Sequence, residues 1–265
     1  DIDEADLVEY LSRDRKTRVI CAYFEGVKEG RKFYESAKKS SKKTPIIALK
    51  GGKTKEGSRA VSSHTGSLAG ASEIYSSAFR QAGVIEAESL EQLFDFARVL
   101  ATQPRPKGNR VLVITDGGGF GVLMTDWLSK NKLKLAELGP ESVAELKKNM
   151  PAHVVLKNPL DLTGDATVER YRLALDISMK DPNVDMIVVI GLFQIPTLTA
   201  DIVDVIAEFG NRRKKPLVFV AAGGRFTEVL KKTLEDFGIP TFSYPERAAE
   251  ALRALYEYRG SQTSK

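Results

Sequence analysis

His64 is the residue in this sequence best placed to do chemistry. It lies in Ser62-Ser63-His64-Thr65-Gly66-Ser67-Leu68-Ala69-Gly70, a run of small residues that offers little to pack around an imidazole. Such a run suits a loop that surrounds an anion with backbone N–H groups and hydroxyls, here Ser63, Thr65 and Gly66. A neutral imidazole nitrogen is nucleophilic without first losing a proton, so the chemistry it points to is the carriage of a phosphoryl group. An ordinary surface histidine fits the same composition equally well. Lys50, Lys53, Lys55 and Arg59 precede the run without aromatic interleaving, a pattern for a small phosphorylated ligand rather than for stacked bases.

Two further features could assist such a group. Glu25 follows the apolar run Val19-Ile20-Cys21-Ala22-Tyr23-Phe24, which puts it at the carboxyl end of a strand, where open α/β sheets bind ligands. A carboxylate there can hold a histidine by Nδ1–H and leave Nε2 free; a plain solvated glutamate is the other reading. Asp116-Gly117-Gly118-Gly119-Phe120-Gly121 joins the apolar run 111–115 to a helical period, so its N–H groups and the positive end of a helix dipole face an anion. Glycines also occur at such turns for steric reasons alone, but three in succession favour a ligand approaching the backbone.

Other motifs fail on spacing. Gly52-Lys53-Thr54 resembles the end of a P-loop, yet Ile47 stands where its first glycine belongs. Val122 replaces the last glycine of a dinucleotide fingerprint, and Thr65 the first glycine of a nucleophile elbow around Ser67. One cysteine and two histidines cannot supply the usual zinc ligand sets, so no metal site is expected. Cys21, inside an apolar run, reads as a buried thiol in a reducing compartment, and His153 as structural or incidental.

The elements that must position these residues alternate between short apolar runs and helical periods. Strands are expected over 18–24, 45–50, 84–85, 111–115, 185–190, 216–221 and 240–244, with helices between them. Ser89-Leu90-Glu91-Gln92 is a capping box. The stretch 102–109 holds two prolines, a glycine and no apolar residue, which makes it the linker between domains at 1–101 and 110–265. The fold class is therefore α/β, with two flavodoxin-like, doubly wound parallel-sheet domains, the first lacking its N-terminal elements. With 265 residues, 42% hydrophobic, the chain can bury both cores. It starts at Asp1 without an initiator Met or a signal pattern, as part of a longer polypeptide would, and holds no run of about 20 apolar residues. A net charge of +5, with Lys and Arg interleaved with Glu, gives no nucleic-acid footprint, so neither nucleic acid nor membrane is an expected partner.

The chain resembles the NDP-forming acyl-CoA synthetases, in particular the α subunit or α-like part of ADP-forming acetate–CoA ligases, related to succinyl-CoA synthetase. Residues 61–70 resemble the family's phosphohistidine loop, 23–31 the segment with its supporting glutamate, and 115–121 and 158–165 the signatures of its second ligase domain. The resemblance implies that acyl-CoA and phosphate give acyl phosphate and CoA, and that His64 takes the phosphoryl group with Glu25 as its orienting partner. ADP then receives it to form ATP. Gly117, Gly118, Gly119, Phe120 and Gly121 would face the phosphate. It further implies coenzyme A and ADP or ATP with Mg as substrates bound mainly outside this chain, a CoA-binding domain and an ATP-grasp β subunit as partners in an α2β2-type assembly, and a cytoplasmic location. A competing reading is a non-catalytic acyl-CoA-sensing module like those fused to lysine acetyltransferases, which generally lack the histidine; His64 favours the enzyme. A histidine phosphocarrier without ligase activity leaves the second domain unaccounted for.

Overall fold

The structure, a computed structural model, describes residues 2–65 and 72–263, without the side chains of His64, Thr65 and residues 259–263. Residues clustered by proximity form two compact units, one of residues 1–101 joined by those from 257 onward, the other of residues 102–256.

In the first unit the order is α1 (Glu4–Arg13), β1 (Ile20–Phe24), α2 (Gly30–Ser40), β2 (Ile46–Lys50), α3 (Lys55–Thr65), α4 (Ser72–Ala82), β3 (Ile85–Ala87) and α5 (Leu90–Thr102). Asp3 opens α1 with a capping box, its carboxylate accepting the Asp6 N–H while the Asp6 carboxylate accepts the Asp3 N–H. Before α5, Ser89 Oγ accepts the Gln92 N–H at 3.1 Å as the sequence predicts, while the Gln92 amide oxygen takes the N–H of Glu88 at 2.9 Å. The three strands are parallel in the order β1-β2-β3. One sheet face packs on Phe24, Phe33 and Phe79, whose rings meet at centroid distances of 5.1 to 6.3 Å.

Strand β2 is buried throughout, but β1 is covered on one face only. Cys21 is therefore exposed, contrary to the buried thiol expected from the apolar run. Strand alternation puts Cys21 and Tyr23 on the face opposite Ile20 and Phe24, and a cavity of about 510 Å³ runs along β1, lined by residues of both faces together with α1 and Tyr75.

The second unit contains β4 (Arg110–Thr115), α6 (Gly118–Lys130), β5 (Lys134–Leu135), α7 (Pro140–Asn149), β6 (Val155–Leu156), β7 (Leu160–Asp161), α8 (Val168–Lys180), β8 (Met186–Ile190), α9 (Ile202–Asn211), β9 (Leu217–Val220), α10 (Arg225–Asp236), β10 (Thr241–Phe242) and the part of α11 (Pro245–Thr263) that precedes residue 257. Its strands run β10-β9-β8-β4-β7-β6, parallel except for the β6–β7 pair, and β5 pairs with the start of β4. Both units are thus α/β with parallel sheets, as the alternation of runs predicts. In the 102–109 stretch, Gln103 is buried in this unit, donating to the Gly238 carbonyl and accepting the Leu217 N–H.

One side of β4 is shared, β5 pairing with its beginning and β7 with its end. Asn158 fills the split between them. Its amide nitrogen donates to the carbonyls of Val111 at 2.8 Å and Ala136 at 2.9 Å, and its oxygen accepts the Val113 N–H at 3.1 Å. A buried N–H left without a partner is costly, so Asn158→Ala should destabilise the second unit by about 2–3 kcal/mol. Urea unfolding measures this, and a loss within about 0.5 kcal/mol, the range of an ordinary surface substitution, contradicts it.

Candidate functional site

Parallel pairing in register sets the first group of residues. Phe24 on β1 lies opposite Lys50 on β2, so Glu25 and Lys50 leave neighbouring strands at the same sheet edge. Glu25 is half-buried, lines the cavity along β1, and accepts a hydrogen bond from the Tyr23 hydroxyl at 3.4 Å. From Lys50 the chain turns through Gly51 and Gly52, the latter in the left-handed region at φ +73°, and enters α3. A side chain at Gly52 would meet Val61 as well.

The 62–65 stretch differs from expectation, because it lies in α3 rather than in a loop. Regular i to i+4 bonding between Lys55 and Thr65 engages N–H groups that an anion-binding loop would leave free. The Ser63 hydroxyl is also occupied, donating to the Arg59 carbonyl at 2.9 Å. The backbone of His64 lies in this helix; the side chains of His64 and Thr65, and all of Gly66, lie outside the described residues. The basic cluster also divides. Lys53 bonds Glu86 and Glu88, each at 2.8 Å, and Lys50 is only 3% exposed, leaving Lys55 and Arg59 on the surface.

The second group sits where β4 enters α6. Gly117 is the N-cap residue, and no side chain caps the helix, so its first N–H groups are open to a partner. The glycines have separate reasons to lack a Cβ. At Gly117 it would lie 2.4 Å from Leu192, and at Gly121 it would meet Thr115 and Pro159 at 3.1 and 3.2 Å. At Gly118 it would lie 2.9 Å from Asp161 Oδ2, whereas at Gly119 it would enter open space. Packing thus accounts for the outer two glycines, which sequence reasoning assigned to ligand approach along with the rest. The ligand argument rests on Gly118 and Gly119, both exposed.

Sequence reasoning missed the acids around this turn. Asp161 Oδ1 accepts the Thr163 N–H at 2.9 Å, with Thr163 held in the left-handed region at φ +67°. Asp116 is 2% exposed, and both its oxygens lie 3.1 Å from the Leu192 N–H. Burial pushes its carboxyl up to about 6; the Leu192 and Tyr171 hydrogen bonds oppose the rise, and Asp161's charge adds to it. The signal was its place directly after an apolar strand. His153, read as incidental, is exposed with Nε2 3.2 Å from Asp165 Oδ1, a carboxylate also held by Arg170 and Thr163. Among the described residues no group of three or more His, Cys, Asp and Glu side chains is arranged to hold a metal ion.

Comparison with known proteins gives two family matches, a succinyl-CoA ligase like flavodoxin domain over residues 1–100 and a Ligase-CoA domain over residues 111–264. The α subunit of ADP-forming acetate–CoA ligase II from Pyrococcus furiosus is 43% identical over 263 residues, covering 97% of this chain and 57% of that subunit. The ADP-forming acetate–CoA ligase of Methanocaldococcus jannaschii is 40% identical, over 97% of this chain and 37% of that protein. Among solved structures, the dinucleotide forming acetyl-coenzyme A synthetase 1 of Ca. Korarchaeum cryptofilum, in complex with phosphate and ADP, matches with a TM-score of 0.92 and 36% identity. That match covers 99% of this chain and 57% of that one. The chain therefore spans about half the length, or less, of the curated relatives it matches.

The buried acid gives a pH test. A carboxyl raised in the folded protein binds its proton more tightly there than when unfolded, so its contribution favours folding at low pH and declines as pH rises from about 4 through about 6. The stability of the wild type relative to Asp116→Asn should therefore fall over that window, by about 2 kcal/mol in all. Urea unfolding at several pH values reads the difference, and a flat one would show that Asp116 titrates normally.

Proposed function

The chain belongs to the CoA-ligase family whose two domain models it matches, and on that premise we propose that it is part of an ADP-forming acyl-CoA synthetase. One observation carries the reading: Glu25 and Lys50 leave adjacent parallel strands side by side, and the chain from Lys50 runs directly into the helix on which His64 stands. The enzyme interconverts acyl-CoA, phosphate and ADP with the free acid, CoA and ATP. A nitrogen of His64 attacks the phosphorus of an acyl phosphate, the bond to the acyl oxygen breaks, and the carboxylate leaves. A terminal phosphate oxygen of ADP then attacks the same phosphorus, breaking the P–N bond and forming ATP. Glu25 accepts the other ring N–H, fixes the tautomer, and stabilises the imidazolium.

In this reading the open N–H groups of α6 at Gly118, Gly119 and Phe120 are the seat for phosphate, flanked by Gly117 and Gly121. The Asp161 carboxylate beside Gly118 makes the seat selective. A hydrogen phosphate can donate its P–OH to that oxygen, while sulfate has no proton to give and meets only repulsion. Residues 102–109 connect the two domains. Coenzyme A, and ADP or ATP with Mg, are substrates bound mainly by a CoA-binding domain and an ATP-grasp β subunit, in an α2β2-type cytoplasmic assembly. Among the described residues no helix is long and apolar enough to cross a membrane.

The full protein with its nucleotide-binding partner, given ATP or acyl-CoA and phosphate, should form acid-labile phosphate on wild type and none on His64→Ala. Equal labelling of both would remove His64 from the reaction. Glu25→Gln should fold and bind substrates while slowing phosphorylation about 10²-fold or more, as losses of acid–base partners do; unchanged kinetics would end that role.

The seat has its own test. Gly119→Val meets no protein atom within 4 Å at its Cβ, so the thermal transition should stay near that of wild type while phosphate binding and phosphohistidine formation drop. Phosphate should compete better than sulfate at pH 7, and Asp161→Asn should narrow the gap. Normal phosphorylation of Gly119→Val would reduce these glycines to local packing.

A further inference from the structure

The amino end of the first sheet, opposite the end that carries Glu25 and Lys50, gathers charge of one sign. In a parallel α/β unit each helix runs back against the strands, so α1, α2 and α4 all finish where strands begin. Ile20 pairs with Ile46 and its N–H donates to the Pro45 carbonyl at 2.9 Å, which sets the segment entering β1 beside the segment entering β2. The Ser41 hydroxyl donates to the Ala82 carbonyl at 2.6 Å and brings the end of α4 to the same place.

Nine exposed cations stand there. Arg13, Lys38, Lys39 and Arg80 lie in last helical turns, where free carbonyls and the helix dipole favour positive charge, so local stability accounts for those four. It does not account for Arg15, Lys16 and Arg18 beyond α1, or for Lys42 and Lys43 beyond α2, because the dipole effect fades within a turn. The acids in this group are Glu9, which bonds Arg13 and Lys39, and Asp14, whose oxygens take the Thr17 hydroxyl and the Lys16 N–H. More positive charge thus remains at this one end than the +5 of the entire chain. Among the described residues Arg15, Lys16, Arg18 and Lys43 meet no carboxylate. Like charges held this close repel one another, a cost that an opposing anionic surface would relieve.

We infer that the amino end of the first sheet is a docking surface for an acidic protein surface, whose carboxylates pair with the cations of segments 13–18 and 38–43. Arginine forks suit carboxylates, and scattered lysines steer an acidic partner from a distance. The other polyanions fit less well. Single-stranded nucleic acid needs successive rings to stack on, yet Tyr34 already lies against Arg31 and Lys38, leaving Tyr10, 72% exposed in the last turn of α1, as one open ring. A membrane surface needs an apolar stripe beside the cations, whereas Phe33 and Ala37 of α2 are buried. One exposed tyrosine among arginines is instead the composition of a protein contact.

The test measures binding of the full protein to a poly-L-glutamate peptide, to an oligouridylate of equal charge, and to phosphatidylglycerol vesicles, at about 0.05 M and about 0.3 M salt. Polyglutamate should bind more tightly than the other two and be released at the higher salt. Arg15→Glu, Lys16→Glu, Lys42→Glu and Lys43→Glu together should weaken its binding about tenfold or more. The same change in charge in the second unit, at the exposed Lys130, Lys147, Lys148 and Lys214, should weaken it less than about threefold. If the first variant fails to fold, Arg15→Gln with Lys43→Gln takes its place, with an expected loss of about threefold and none from Lys148→Gln with Lys214→Gln. Failure of the wild type to bind polyglutamate would overturn the inference, as would equal losses in the edge and control variants. Tighter binding of oligouridylate or of the vesicles would overturn it too, by assigning the surface to nucleic acid or to membrane.

Discussion

Parallel strands in register end together, and this constraint delivers side chains from distant parts of the chain to one edge. In the first unit the pairing of Phe24 with Lys50 makes Glu25 and a lysine one strand away into neighbours. In the second, Thr115 pairs with Asp161 on one side and Ile190 on the other, so Asp116, Asp161 and the Leu192 N–H converge where α6 begins. Neither group needs a long loop to assemble it. A one-residue slip in either register would send these side chains to the opposite face and dissolve the site before any contact in it was lost. Asn158 guards the second register by bonding the β4 backbone just where two partner strands divide it.

Desolvation and hydrogen bonding compete for the buried acids, and the winner differs with position. At Asp185, Arg110 donates through Nε at 2.8 Å, Nη2 at 3.0 Å and its backbone N–H at 3.1 Å, and burial is overcome, so the carboxyl falls below its usual range. At Asp116 the Leu192 N–H is shared between both oxygens, Asp161 stands nearby, and burial wins. The first arrangement is what a structural ion pair looks like; the second leaves a carboxyl that changes charge near neutral pH. Perturbation without a balancing cation concentrates at functional sites. Lys50 is the basic counterpart, lowered by burial yet kept close to an acid.

Much of this was legible from apolar runs and the residue that follows each. The run at 19–24 placed Glu25, that at 111–115 placed the glycine turn, and alternation with helical periods gave the α/β class. What stayed hidden depends on coverage by other parts of the chain. An apolar run reads the same whether one face of its strand is covered or both, so Cys21 looked buried and is not. Lys50 closes a run and looked like one cation of a cluster for a phosphorylated ligand, because nothing local announces that Tyr75, twenty-five residues later, will lie beneath its ammonium. The glycines of the turn looked alike, though Leu192 excludes a side chain at Gly117 and nothing does at Gly119. Composition misled most at 62–65, where serines and a glycine-rich neighbourhood suggested a loop and α3 persists to Thr65.

That last difference bears on how a phosphoryl group would be received. The backbone N–H groups of residues 62–65 are engaged in the α3 ladder, so a phosphoryl group on His64 would find none of them free. Helix α3 is weak in its own right, with Gly57, Ser58, Ser62 and Ser63 of low propensity and a Ser63 hydroxyl that bonds back to the Arg59 carbonyl. On the proposed chemistry, what offsets the charge taken up by His64 must come from outside this stretch of α3, because its backbone donors are already satisfied.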